Sequence, residues 1–404
     1  MRSLRCRLAP SGSWCQNGPV RRLLVLACAV VFLDVTFFAV LTPLLPDYKD
    51  DFSLSDGEAG VLAGAFAAGT LVSALPAGWL AARVGPRRTV IAGLVGIGTF
   101  SPIFGFADNI VLLDVSRFFQ GASGALMWAG AVSWVVSASP KSRRGEMVGA
   151  VIAAAVIGEL LGAPIGALAH EIGTEIVFST VFVAAAILIA VAATIKDASE
   201  VASQPVREAV AAVKRSNVPR MVLVLAGPSL AFGFLVVVAP LRMDELGASP
   251  WLIAGAFAIG SAVEAVAGPW IGRVSDRIGR VGPYLIGVAV IAVAITAIGI
   301  FNLLPALAAA VVLCAFGAGL AFTPASTLVT DAATSSGLNQ GYASGAANLA
   351  WGGGQMVGAV GGGFLVGATG YLLPSLLTVG IILAVGVVAR RTVQPLPSEL
   401  SEVK

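Results

Sequence analysis

Apolar runs close to 20 residues long recur along the whole chain, separated by short clusters of charge, proline, glycine or asparagine. An α-helix needs about 20 such residues to cross the hydrocarbon core of a bilayer, so repeated runs of this length imply repeated crossings. The composition agrees. Charged residues are 12% of the 404, about half the roughly 25% usual in globular chains; apolar residues are 57% and mean hydropathy is +0.91. Transmembrane strands would be about ten residues long with alternating polarity, and no stretch alternates. The expectation is an all-α membrane protein. One histidine, His170, and four scattered cysteines, Cys6, Cys15, Cys28 and Cys314, make neither a metal cluster nor a CxxC redox pair. A net charge of +3 is too small to suggest a nucleic-acid partner. No metal, cofactor or enzymatic constellation such as HExxH is expected.

Cutting at the polar punctuation gives twelve spans: 22–45, 57–82, 88–106, 110–136, 146–169, 175–195, 221–241, 250–272, 281–301, 305–329, 340–366 and 371–389. The weakest joins are near Gly173 and near Asn302–Pro305. Of the 25 Lys and Arg residues, Lys49 and Arg242 alone fall in loops on one side and Arg117 lies inside a span; the rest share the other side. The Lys/Arg bias puts that side, and both termini, in the cytoplasm, with the plasma membrane as the expected location. Residues 1–21 read as a disordered cytoplasmic tail; the apolar run after Arg22 is too long for a cleaved signal. The expected organisation is a six-helix bundle over 22–195, a cytoplasmic linker over 196–220 with a surface helix near 205–215, a second bundle over 221–389 and a tail over 390–404.

Internal similarity supports that division. Ala63-Gly64-Ala65-Phe66-Ala67-Ala68-Gly69 returns as Ala254-Gly255-Ala256-Phe257-Ala258-Ile259-Gly260, changed only at its sixth position. The loop Gly78-x4-Arg83-x-Gly85 returns as Gly272-x4-Arg277-x-Gly279, and Gly149, Gly158 and Gly162 return as Gly345, Gly354 and Gly358. Each span of the first half therefore matches one in the second with the same direction. This is a parallel repeat, which predicts two six-helix bundles around a central cavity.

These segments also resemble a known family. Gly78-Trp79-Leu80-Ala81-Ala82-Arg83-Val84-Gly85-Pro86-Arg87-Arg88 is similar to the loop signature of the major facilitator superfamily, with Ala82 at the acidic position and Pro86 at an arginine position. The second copy, Gly272-Arg273-Val274-Ser275-Asp276-Arg277-Ile278-Gly279-Arg280, keeps the acid. Arg117-Phe118-Phe119-Gln120-Gly121-x-x-Gly124 resembles the RxxQGxG motif of the fourth helix. Gly149-x8-Gly158-x3-Gly162-Ala163-Pro164-x-Gly166 resembles the fifth-helix motif of proton-coupled exporters, its proline displaced by one residue. Phe32-Leu33-Asp34 with Pro43 and Pro46, and Asn348-Leu349-Ala350-Trp351-x3-Gln355, resemble the drug–proton antiporter branch and its vesicular amine relatives. The resemblance covers residues 22–389. It implies a monomeric alternating-access transporter, most simply a proton-coupled exporter of small lipophilic or cationic compounds. An uptake symporter or a non-transporting sensor would be the alternatives.

An ionisable side chain at the bilayer centre costs at least about 2.5–3.5 kcal/mol, so each one needs a reason. The mid-span candidates are Asp34, Asp114, Arg117, Glu159 and Glu264. Asp34 lies about 18 Å along its helix from Arg22 at 1.5 Å per residue, near mid-depth. Asp114 and Arg117 are spaced to meet on one helix face. The expectation is that Arg117 pairs with a carboxylate when no proton is bound, and that protonation of Asp34 or Glu159 re-pairs it. A structural Asp114–Arg117 pair is the plainer reading. Glu264, Asn348, Trp351, Gln355, Phe38 and Trp128, with Phe234, are candidates for the cavity wall, though each could instead serve helix packing. Gly158, Gly162, Pro164 and Gly166, like Gly354, Gly358 and Gly362, form small-residue stripes for close helix approach, expected at the seam between the halves. Gly78, Arg83, Gly85, Arg87, Asp276, Arg277, Gly279 and Arg280 form the expected gate, with Asp276 its main acid and Asp331 a loop or capping residue.

Overall fold

The computed structural model describes residues 18–140, 143–195 and 204–392. The expected tails at 1–21 and 390–404 and the linker at 196–220 therefore fall partly outside the described residues.

The first crossing is made by α1 (Gly18–Ala39) and α2 (Leu41–Asp51), and the first half continues through α3 (Asp56–Arg83), α4 (Pro86–Gly105), α5 (Ile110–Ala138), α6 (Arg144–Ile172) and α7 (Thr174–Thr194). The short α8 (Val206–Lys214) precedes α9 (Val218–Glu245), α10 (Pro250–Ile278), α11 (Val281–Ile300), α12 (Leu304–Ser335), α13 (Gln340–Thr369) and α14 (Leu372–Thr392). No strand occurs among the described residues. The ends follow local chemistry. The Ser55 hydroxyl accepts from the Glu58 amide while the Glu58 carboxylate accepts from the Ser55 amide, a capping box at the start of α3. Asn109, Ser249 and Asn339 cap α5, α10 and α13 through their side chains. Gly85 and Gly279, equivalent glycines of the repeated loop, have φ of 104° and 87°, a region that disfavours any residue with a Cβ.

Helix pairings repeat between the halves. The pairs α1–α6, α3–α5, α4–α5 and α4–α7 recur as α9–α13, α10–α12, α11–α12 and α11–α14. That is the parallel repeat in three dimensions: two bundles of six crossings each. Twelve crossings bring the described chain ends to one side, called here the termini face.

Eleven of the twelve are long and apolar enough to cross a membrane, with α1 and α2 counted as one. The twelfth, α13, is long enough but rich in glycine and polar residues. It runs between α3 and α9, protein on two sides, where small residues allow close contact and high apolarity is not needed.

Three charges sit differently from the sequence expectation. Lys49 is not in a loop; it ends α2 and pairs with Asp56 at 2.6 Å. Arg242 is not in a loop either. It lies in α9, 6% exposed, donating to the Phe301 carbonyl and Asn302 Oδ1 and stacking 4.0 Å from the Tyr371 ring centre. Asp331 lies inside α12 and pairs with Arg280.

The halves meet along two seams. At α3–α13 the backbones touch from end to end. A Cβ on Gly60 would lie 3.2 Å from the Gly363 Cα, and one on Gly78 would lie 2.5 Å from the Gly341 carbonyl oxygen. The α6–α10 seam differs. Its half away from the termini is closed, with the Trp251 indole donating to Glu171 at 2.7 Å. Nearer the termini, Gly149 on α6 and Gly268 and Gly272 on α10 have no atom within 4 Å of a built Cβ.

Candidate functional site

The site begins with a broken helix. Pro43 has no N–H for the Ala39 carbonyl and its ring crowds that turn, so the first crossing opens between Ala39 and Leu41. Other carbonyls of the opened turn, inside a membrane, need donors as well. Arg117, on α5 and 1% exposed, supplies two: Nη1 donates to the Phe37 carbonyl at 3.0 Å and Nη2 to the Phe38 carbonyl at 2.7 Å. Nη1 also donates to Gln120 Oε1 at 3.0 Å, and Gln120 Nε2 reaches the Phe100 carbonyl. Ring faces of Phe66, Phe38 and Phe104 lie 4.9, 5.7 and 5.9 Å from the guanidinium carbon. The buried cation is thus held by dipoles and π faces.

This corrects the expected Asp114–Arg117 pair. Asp114 forms no ion pair among the described residues; one of its oxygens is buried without a hydrogen-bond partner, and the nearby charge acting on it is Glu58. Three residues along α5 turn 300°, close to one face, but the Arg117 side chain is drawn toward the open turn of the first crossing.

Asp34 is 3% exposed on α1, one turn before the break. Its Oδ2 accepts from the Trp128 indole at 3.0 Å, while Oδ1 is buried with no partner. Arg117 is within its electrostatic range. Gly124 makes the room: a Cβ there would stand 2.5 Å from Oδ1. Arg117, Gly121, Gly124 and Trp128 follow one another at helical spacing, so the motif of the fourth crossing turns a single face toward the first.

An aromatic cluster lies beside this network and is shared by both halves. Phe38 meets Phe66 at 5.1 Å, Trp351 at 5.5 Å and Phe232 at 6.3 Å between ring centres. A cavity between the halves, lined by Phe38, Thr42, Glu159, Phe232, Val236 and Phe257, has room for about one water molecule, ≈ 10 Å³. Glu159, half-buried on α6, faces the Ser261 hydroxyl of α10. Glu264, one turn further along α10, is close enough to Glu159 for the two carboxyls to interact, and packs against Gly319 of α12. The two acids come from opposite halves.

On α13, Asn348 donates across the halves to the Ala125 carbonyl at 3.3 Å, and Trp351 joins the aromatic cluster. Gln355 is fully buried against α9, and neither end of its amide has a partner. Phe234 is a packing residue between α9 and Gly362 of α13, not part of the cavity wall.

The glycine stripes also differ from expectation. Gly158, Gly162 and Gly166 face α1; a Cβ on Gly158 would lie 2.8 Å from the Phe32 carbonyl oxygen, and one on Gly162 2.5 Å from that of Thr36. Pro164 lies within the same helix. Gly354 and Gly358 press on the backbone of α9 and Gly362 on Phe234. Both stripes seal the inside of a half. The seam between halves uses other glycines, Gly60 with Gly363 and Gly78 with Gly341.

Among the described gate residues, Gly78 lies in the seam against Gly341, and three of the arginines interact within their own halves. Arg83 stacks on Trp79, Arg87 donates to the Ala193 carbonyl at 2.7 Å, Arg280 pairs with Asp331, and Arg277 is exposed. The Asp276 side chain lies outside the described residues. A link that sequence reasoning missed is Gln204, whose amide holds the Gly337 carbonyl and the Asn339 N–H between α12 and α13. Phe66, Phe232 and Ser261 were missed as well. Phe66 lies in the repeated heptapeptide and Ser261 one turn before Glu264, which were the available signals.

A family model described as Major Facilitator Superfamily matches residues 27–339 and 223–404. The MFS-type transporter ppzB of Metarhizium rileyi (strain RCEF 4871) is 31% identical over 126 residues, 30% of this chain and 26% of that protein. The quinolone resistance protein NorA of Staphylococcus aureus (strain MRSA252) is 26% identical over 119 residues, 30% of this chain and 31% of that protein. The matched stretch thus spans under a third of either relative. In fold, a solved D-xylose-proton symporter superposes with a TM-score of 0.74 at 16% identity, over 93% of this chain and 98% of that one.

Proposed function

The chain belongs to the Major Facilitator Superfamily, and from that premise we propose that it is a proton-coupled exporter of small lipophilic or cationic compounds, working by alternating access. The observation that carries the reading is Asp34. It is a carboxylate near mid-depth, held on one oxygen by Trp128 and unpartnered on the other, beside an aromatic cluster to which both halves contribute. An ionised Asp34 attracts a cation arriving among those rings. A proton on Asp34 removes that attraction. Proton and solute therefore compete for one group, which is the requirement for exchange in opposite directions. Arg117 keeps the broken turn in shape and lends its field to Asp34. Glu159 and Glu264 provide a second proton-accepting pair between the halves. The NorA likeness, with drug resistance in that protein's name, agrees with export.

In this reading the termini face is cytoplasmic, because it carries the arginine-rich loops, and the membrane is the plasma membrane. The working unit is a monomer, with bundles over 22–195 and 221–389 joined by the linker 196–220 and flanked by tails over 1–21 and 390–404. Asp276 and Arg277 remain its proposed gate at the cytoplasmic side.

A flux assay in liposomes tests this. A pH jump is expected to drive lipophilic cations against the direction of proton flow, and Asp34→Asn, which lacks the charge for which proton and cation compete, is expected to abolish the pH-driven flux and to weaken cation binding. Cation movement in the same direction as protons would establish an uptake symporter instead. Undiminished pH-driven flux in Asp34→Asn would remove Asp34 from the coupling.

A further inference from the structure

At the termini face, a groove of about 480 Å³ opens between α1 and α7. That volume lies within the roughly 300–1,000 Å³ range of small-molecule sites. Arg21 and Arg22 stand at its rim, both exposed, and no carboxylate pairs with either among the described residues. Arg87 of α4 bonds the Ala193 carbonyl at the adjoining end of α7, adding a third positive charge nearby. Below the rim the lining is apolar. Val25, Ala29, Leu188 and Val191 form the walls and Leu26, 2% exposed, the floor. From Arg22 to Ala29 the groove descends about 10 Å at 1.5 Å per residue, from the interface into hydrocarbon depth.

We propose that this groove seats an anionic phospholipid, its phosphate on Arg21 and Arg22 and one acyl chain along the apolar wall. The chemistry selects the occupant. A soluble anion would use the rim and leave the wall empty, and a lipid without net charge would use the wall and leave two arginines uncompensated. Basic pockets between transmembrane helices bind anionic headgroups for this reason. The chain's own N-terminal segment is poorly matched, because residues 1–17 carry Arg2, Arg5 and Arg7 and no acid, and would bring positive charge to a positive rim. The seat is independent of the transported solute and lies away from Asp34.

The test is lipid binding to the purified full chain by native mass spectrometry, using dioleoyl phosphatidylglycerol and dioleoyl phosphatidylcholine. The expected result is phosphatidylglycerol bound at least about tenfold more tightly, as two compensated arginines imply. The double variant Arg21→Gln/Arg22→Gln is expected to erase the preference, and Arg21→Lys/Arg22→Lys to restore it. Ala29→Trp is expected to weaken both lipids by filling the wall. Glycerol 3-phosphate is expected not to displace the lipid. A preference that survives the double glutamine variant would overturn the proposal. So would displacement by glycerol 3-phosphate, which would make this a site for soluble phosphate. Binding that appears only once residues 1–16 are removed would seat the chain's own segment there instead, and also overturn it.

Discussion

Arg117 shows how a charge can be kept inside a membrane without an opposite charge bonded to it. Its guanidinium has donors in a fixed fork, and the open turn before Pro43 offers two carbonyls at matching positions. Asp34 is left free of an ion pair, with one oxygen unclaimed. Gly124 is the residue that permits this. A methyl group at that position would stand 2.5 Å from Oδ1 and force the carboxylate to move. Gly124→Ala is therefore expected to lower pH-driven flux by about tenfold or more while the protein still folds, since a misplacement near 1 Å at a reacting group costs on that order or beyond. Gly149→Ala, with nothing within 4 Å, is expected to be silent in the same liposome assay. Equal flux in both variants would show that the position of the carboxylate does not matter. The individual residues of this network were readable in the sequence, because a charge in an apolar run stands out. Their partners were not, because they depend on which carbonyls an open turn presents on another helix.

At the scale of elements, two sets of glycines do different work. Gly158, Gly162 and Gly166 fix α6 on α1, and Gly354, Gly358 and Gly362 fix α13 on α9, so they hold each half together. Gly60, Gly78, Gly341 and Gly363 bring α3 and α13 into backbone contact between the halves. Gly162→Leu is expected to lower the thermal unfolding midpoint by several degrees, the effect of about 1–3 kcal/mol of overpacking. Gly363→Leu is expected to change stability less and to loosen the seam. The readout is faster thiol labelling of Asn348→Cys, which replaces a residue bonded across it to Ala125. Equal loss of stability with unchanged labelling would contradict the division. The sequence showed the stripes at their four-residue spacing, and spacing reports that a face is narrow without saying which neighbour it meets. Similarly, Arg242 looked like a loop charge because a run of apolar residues ends just before it. The structure continues α9 past that point, since Phe301, Asn302 and Tyr371 satisfy the guanidinium.

For the whole molecule, the two seams are unequal. One, at α3–α13, is in backbone contact from end to end, and the other, at α6–α10, is bridged by side chains, Glu171 with Trp251 and Glu159 with Ser261. In an alternating-access reading such a body turns about its continuous seam, and opening the face away from the termini would require Glu171 and Trp251 to separate. Bridging Glu171→Cys and Trp251→Cys with a cleavable bifunctional thiol reagent, in a background without the native cysteines, is expected to stop flux and cleavage to restore it. Full flux in the bridged protein would place the motion elsewhere. The twofold organisation was legible in the sequence because three repeated segments keep their order. The inequality of the seams was not, since both halves descend from one pattern and the difference lies in how they close. The glycine-rich α13 bears on how such a body comes to exist. By length and composition α3 and α9 qualify as membrane crossings on their own, and α13, diluted by glycine, falls short of that mark. During synthesis both precede it in the chain, so the groove between them is available when α13 emerges, and it can enter the bilayer against protein. On that order of events, the last large contact between the halves would be made by a segment whose membrane insertion and folding coincide.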